Sequence, residues 1–77
     1  MTSTIINIIK KVKPAAAVTE STRLLEEKVL DSLAMIALVA ELSDEFDVDI
    51  TAQHIIPENF ETVGAIAALI ERLEDED

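Results

Sequence analysis

The chain has 77 residues, 49% of them hydrophobic, with one glycine, two prolines and no cysteine. That length fits a single domain burying about 60% of its unfolded surface, and the composition excludes a disordered tail, a collagen-like repeat, a disulfide scaffold and a Cys-ligated zinc site. Six basic and sixteen acidic side chains give a net charge of −10, which repels nucleic acid and anionic lipid and favours basic proteins as partners.

The charge is uneven. Residues 1–19 hold Lys10, Lys11 and Lys13 and no acid, whereas residues 20–77 hold three basic side chains and all sixteen acids. The basic start does not read as a signal peptide, because the run Ile5 to Ile9 is interrupted by Asn7 and its lysines follow it. No apolar stretch approaches a membrane span, and neither end resembles a lipidation signal. A soluble, cytoplasmic monomer without membrane insertion is expected.

Ile5, Ile8, Ile9 and Val12 fall at i, i+3, i+4 and i+7, which predicts an amphipathic helix despite the strand propensity of isoleucine. Thr2 or Ser3 is expected to cap it, the lysines suit its last turn, and Pro14 stops it. Residues 14–30 show no clear period and read as a long loop pinned by Leu24, Leu25 and Leu30. A loop of that length in so small a domain hints at function.

The second helix is expected over Asp31–Phe46, with Asp31 as N-cap and Met35, Leu38, Val39, Leu42 and Phe46 facing the core. Its other side carries Leu33, Ala37, Ala40 and Asp44 in line, with Ile36 nearby, and residues 32–40 bear no charge. In so acidic a protein, that stripe reads as a contact surface. Thr51 is expected to cap a short helix running through Ile55 and ended by Pro57. Thr62 caps the last helix, where Val63, Ile66, Ala67, Ile70 and Leu73 repeat at helical spacing, and the acidic tail 74–77 should fray. The fold class is therefore all-α. One domain over 1–77 is expected, a small bundle of three main helices and one short helix, with a long loop between helices 1 and 2.

Enzyme motifs are sparse: there is one histidine, and Gly64 stands alone inside a helix. Ser32, His54 and Asp31 could in principle combine as nucleophile, base and orienting acid, but a bundle this small has little room for a pocket and oxyanion hole. His54 reads more simply as a surface or half-buried side chain. The run Asp47-Val48-Asp49-Ile50-Thr51 invites comparison with a calcium loop, yet Ala52 stands where such a loop needs glycine. No catalytic residue and no metal site are expected. Asp31-Ser32-Leu33 is more informative, since it places a hydroxyl in a helix's first turn directly after a long loop. A phosphate ester there would face free backbone N–H groups and the positive end of the helix dipole. Asp31 would oppose that ester electrostatically, but could position an incoming enzyme or its metal.

Four stretches carry a family resemblance: Leu30-Asp31-Ser32-Leu33, Leu38-Val39-Ala40-Glu41-Leu42, Glu45-Phe46-Asp47-Val48-Asp49-Ile50 and Ile56-Pro57-Glu58-Asn59-Phe60. In that order and spacing, the chain resembles an acyl carrier protein from helix one to Leu73, and more narrowly the stand-alone carriers akin to aminoacyl and peptidyl carrier proteins. The resemblance implies a four-helix bundle that is not an enzyme, with 4′-phosphopantetheine attached to Ser32 by a phosphopantetheinyl transferase using coenzyme A. It implies an acyl or aminoacyl cargo held as a thioester, loaded by an activating ligase and passed to a transferase or synthase. Leu33, Ala37 and Ala40 would form the apolar part of the docking stripe, with Asp31, Asp44 and Glu41 steering basic partners.

Two departures stand out. Many relatives have glycine three or four residues before the serine, where this chain has Lys28 and Val29. Either the loop takes another path or Lys28 adopts a positive φ at some cost. Carriers of fatty-acid synthesis show further acids on the outer face of helix two, where Ala34 and Ala37 stand here. That favours a dedicated pathway over bulk fatty-acid synthesis. The competing reading is an unmodified acidic helical adaptor that binds a basic protein.

Overall fold

The isoleucine spacing of the first segment does produce a helix, α1 (Thr2–Val12), which buries Ile5, Ile8 and Ile9 and leaves Val12 half-buried. A computed structural model describes residues 2–75. Thr2 and Ser3 lie inside α1 rather than capping it. The Thr2 hydroxyl instead donates to Glu20 at 2.9 Å, which ties the start of the helix to the following loop. Past Val12 the Lys13 N–H still reaches Ile9 O at 2.7 Å, and Pro14 then ends the ladder.

The connection to the next helix is more ordered than its sequence suggests. Val18 and Thr22 are buried, and the Thr22 hydroxyl accepts from the Thr19 N–H at 2.8 Å. Residues 23–27 then make one helical turn, with the Glu27 N–H donating to Arg23 O. Its ending is a Schellman motif: Val29 N–H donates to Leu24 O, Lys28 N–H donates to Leu25 O, and Lys28 takes φ 58. Of the two routes left open by the missing glycine, the chain takes the positive φ at Lys28. Leu24 and Leu30 are buried as expected, whereas Leu25 is only half-buried. The Leu24 N–H also donates to Glu61 O at 2.8 Å, holding this turn against the other end of the chain.

Helix α2 (Ser32–Phe46) has Asp31 as its N-cap, as expected. Leu38 and Leu42 are buried as expected, and the correction is Ala34, which was expected on the outer face but is buried in line with them, four residues before Leu38. Steps of four keep these three on one line. Met35 and Val39 sit about 100° round on the flank, Phe46 lies at the helix end, and all three are half-buried. Asp47 stops the helix in the left-handed region (φ 53, ψ 47), where its N–H and that of Val48 both donate to Ser43 O.

The expected helix from Thr51 through Ile55 is a three-residue 3₁₀ turn, Ala52–His54. Pro57 does not merely stop it. The pre-proline constraint holds Ile56 extended (φ −124, ψ 152), and Pro57 then begins a separate one-turn helix, α3 (Pro57–Phe60), at the position where its missing N–H costs nothing. Helix α4 (Val63–Asp75) is capped by the Thr62 hydroxyl, which accepts from the Ala65 N–H at 3.1 Å. It buries Val63, Ile66, Leu69, Ile70 and Leu73, adding Leu69 to the expected set, while Ala67 lies at the margin. Glu74 and Asp75, expected to fray, are helical; the rest of that tail lies outside the described residues.

Helix α1 packs against both α2 and α4, and α3 lies on α4. Among the described residues there is no strand, so the fold is an all-α bundle of three long helices and one short one. Phe60 from α3 is fully buried, inside one core to which the long loop also contributes Val18, Leu24 and Leu30. The radius of gyration, 11.2 Å, matches the value of about 11.5 Å that size scaling gives for this length.

Candidate functional site

Ser32 is the first residue of α2, and two buried neighbours fix its position: Leu30 before it and Ala34 after it, each 5% exposed. Between them the chain turns outward. Asp31 is extended (φ −102, ψ −174), and Asp31, Ser32 and Leu33 are all exposed. Asp31 Oδ1 accepts from the Ala34 N–H at 2.8 Å, and Asp31 O accepts from the Met35 N–H at 2.8 Å. The serine hydroxyl thus projects from a helix terminus already fastened on its inner side.

Asp31 has a second partner. Its Oδ2 lies 3.1 Å from Lys13 Nζ, across the end of α1. The Ala34 N–H first, and the Lys13 ammonium beside it, hold the Asp31 carboxyl below the usual carboxylate range. A depressed folded-state pKa stabilises the fold above the ordinary carboxylate range, and that stability is lost as pH falls through the depressed value.

The outer face of α2 runs from this point. Leu33 is 81% exposed and Ile36 68%, and Ala37, Ala40 and Asp44 are exposed in line with them. Ile55 and Ile56 add exposed apolar surface on the segment before α3. Glu41, also on α2, pairs with Lys11 Nζ at 3.2 Å. Asp44 makes no ion pair among the described residues. Sequence reasoning found the stripe but not the two lysine partners. Each pair spans a large separation, 18 residues for Lys13–Asp31 and 30 for Lys11–Glu41, and no local pattern announces it.

The other candidates have structural duties. His54 Nδ1 accepts from the Thr51 N–H at 3.0 Å and lies 3.1 Å from the Thr51 hydroxyl, so it closes the 3₁₀ turn. The Asn59 amide donates to His54 O and its carbonyl accepts from Arg72, which joins this turn to α3 and α4. No hydrogen bond links His54 to Ser32 or Asp31 among the described residues. The calcium-like stretch is a helix ending followed by two buried side chains, Val48 and Ile50. Among the described residues no group of three His, Cys, Asp or Glu could hold a metal ion. Thr22 is the only buried polar side chain among them, so no acid or base is sheltered from water. What remains is an accessible hydroxyl beside an apolar face. No helix among the described residues is long and apolar enough to cross a membrane.

Comparisons with known proteins bear on the chain as a whole. The model of a family described as "Phosphopantetheine attachment site" matches residues 3–70. Among solved structures, the chain is similar to one described as "Crystal structure of FAD-dependent dehydrogenase". The identity is 38% and the TM-score 0.80, over 87% of this chain and 99% of that one. No curated protein matches the chain.

Proposed function

The chain belongs to the phosphopantetheine-attachment family, and from that premise we propose that it is a stand-alone carrier, modified on Ser32, serving a dedicated acyl or aminoacyl pathway. The family is defined by covalently attached 4′-phosphopantetheine, so this is the chain's cofactor. When bound, that group supplies a terminal thiol on which cargo is held as a thioester. The residues fit it. Ser32 is exposed in the first turn of α2, and the chain has no cysteine to compete with the arm's thiol.

The observation carrying the reading is the exposed serine held between two buried residues at the head of an exposed apolar helix face. In the modification, Ser32 Oγ would attack the β-phosphorus of coenzyme A. One P–O bond of the pyrophosphate breaks as the new ester forms, adenosine 3′,5′-bisphosphate leaves, and the serine proton passes to the transferase. Asp31 would hold the first turn of α2 through its cap on Ala34 and keep Ser32 turned outward. Leu33, Ala37 and Ala40, with Ile36 as the largest addition, would seat apolar partner surface, and Asp44 would steer basic groups. Partners would be a phosphopantetheinyl transferase, an activating ligase and a downstream transferase or synthase. The structural likeness supports adding a flavin-dependent dehydrogenase acting on the thioester, since the matched chain is itself carrier-sized.

The test is intact mass. With an active broad-specificity transferase and coenzyme A, the chain should gain one phosphopantetheine, and Ser32→Ala should gain none. A parent chain that gains nothing would favour the unmodified adaptor. Offering the modified chain and ATP to candidate adenylating ligases then identifies the cargo. Reduction of a flavoenzyme's FAD by the loaded chain tests the dehydrogenase partner.

A further inference from the structure

Resting on the carrier reading, we propose that Lys11 and Lys13 are specificity-determining residues. They neutralise the carboxylates along the Ser32 end of α2, so the face accepts partners with an apolar socket and discriminates against partners that grip carriers through basic side chains.

The geometry is direct. Lys13 Nζ lies 3.1 Å from Asp31, the residue before Ser32, and Lys11 Nζ lies 3.2 Å from Glu41. The acids left over cluster at the far end of α2, in Asp44, Glu45 and Asp47. Asp44 is twelve residues past Ser32, about 18 Å along the helix axis. That is roughly two Debye lengths at physiological salt, so those acids contribute little field at the serine. Asp31 would dominate there, and Lys13 cancels it. Lys11 does the same at mid-face, where Glu41 borders Ala37 and Ala40. What a partner meets around Ser32 is Leu33 and Ile36, 81% and 68% exposed, without a strong field.

Both pairs are exposed, with side-chain exposures of 38% and 59% for Lys13–Asp31 and 70% and 40% for Lys11–Glu41. Pairs of that kind add little to stability, so their effect falls on encounter and discrimination. Lys10 supplies an internal control. It lies beside Lys11 in the last turn of α1, carries the same charge, and makes no ion pair among the described residues.

The experiment follows phosphopantetheine transfer by intact mass, using a broad-specificity transferase with a basic docking surface, at low and at high sodium chloride. The Lys11→Gln/Lys13→Gln double variant should gain roughly five- to tenfold in kcat/KM at low salt, through KM, and lose the gain at high salt. Lys10→Gln should stay within about twofold of the parent at both. Circular dichroism should show the double variant folded and melting within a few degrees of the parent. A double variant that behaves like Lys10→Gln, or whose gain lies in kcat and survives high salt, overturns the proposal while leaving the carrier reading standing. A parent that accepts no phosphopantetheine overturns both.

Discussion

Lys28 holds a backbone conformation that costs an L-residue about 1–2 kcal/mol, because its Cβ crowds the following carbonyl. It accepts that cost at the point of the Schellman motif where glycine is the usual choice. Asp47 adopts the same region at the end of α2, but a short polar side chain tolerates it better. Lys28→Gly should therefore stabilise the fold. The relief is partly offset by the greater freedom of glycine in the unfolded chain, leaving a net gain of about 0.5–1 kcal/mol. Urea denaturation would measure it, and a loss of stability would show that the lysine side chain does more than occupy the turn. The same residue shows how far local chemistry is legible. The missing glycine pointed to this position, but only the hydrogen bonds of Leu24, Leu25 and Val29 distinguish a strained turn from a rerouted loop.

Helix α2 has two apolar faces with opposite duties, and leucines at two of its positions separate them. Leu38 is fully buried, so Leu38→Ala should cost about 2–5 kcal/mol, a large part of the roughly 4–12 kcal/mol expected for a domain this size. Leu33 is 81% exposed, so Leu33→Ala should leave stability within about 0.5 kcal/mol while raising KM for the transferase. Equal destabilisation by both would make the outer face structural rather than a docking surface. At this scale α1, α2 and α4 were readable, because apolar spacing marks each of them and the caps Asp31 and Thr62 agree with it at the start of α2 and α4. Helix α3 was not, since Pro57 carries one signal for stopping a helix and the same signal for starting one. The turn at 23–27 is too short for a period to emerge. Ala34 reads as part of the outer face because a small side chain gives no hydrophobic emphasis, although it lies on the line of Leu38 and Leu42 and is buried with them. The lysine pairs flanking Ser32 join distant parts of the chain and become visible only once α1 and α2 are packed together.

For the molecule as a whole, a net charge of −10 on 77 residues outweighs the ion pairs that relieve it. Three pairs occur among the described residues, all exposed and screened by solvent, so they add little to stability. Repulsion among the remaining acids acts over the whole surface and is screened by salt. Raising sodium chloride at neutral pH should therefore raise the melting temperature, and a fall would show that the pairs dominate. A different consequence comes from Leu30 and Ala34, the buried residues on either side of Ser32. Ser32 and Leu33 are consecutive, about 3.8 Å apart at Cα. A partner that has seated Leu33 has therefore already located the oxygen it must act on or reach from. Address and delivery share one origin, and any change that tilts the first turn of α2 moves that origin for every partner at once.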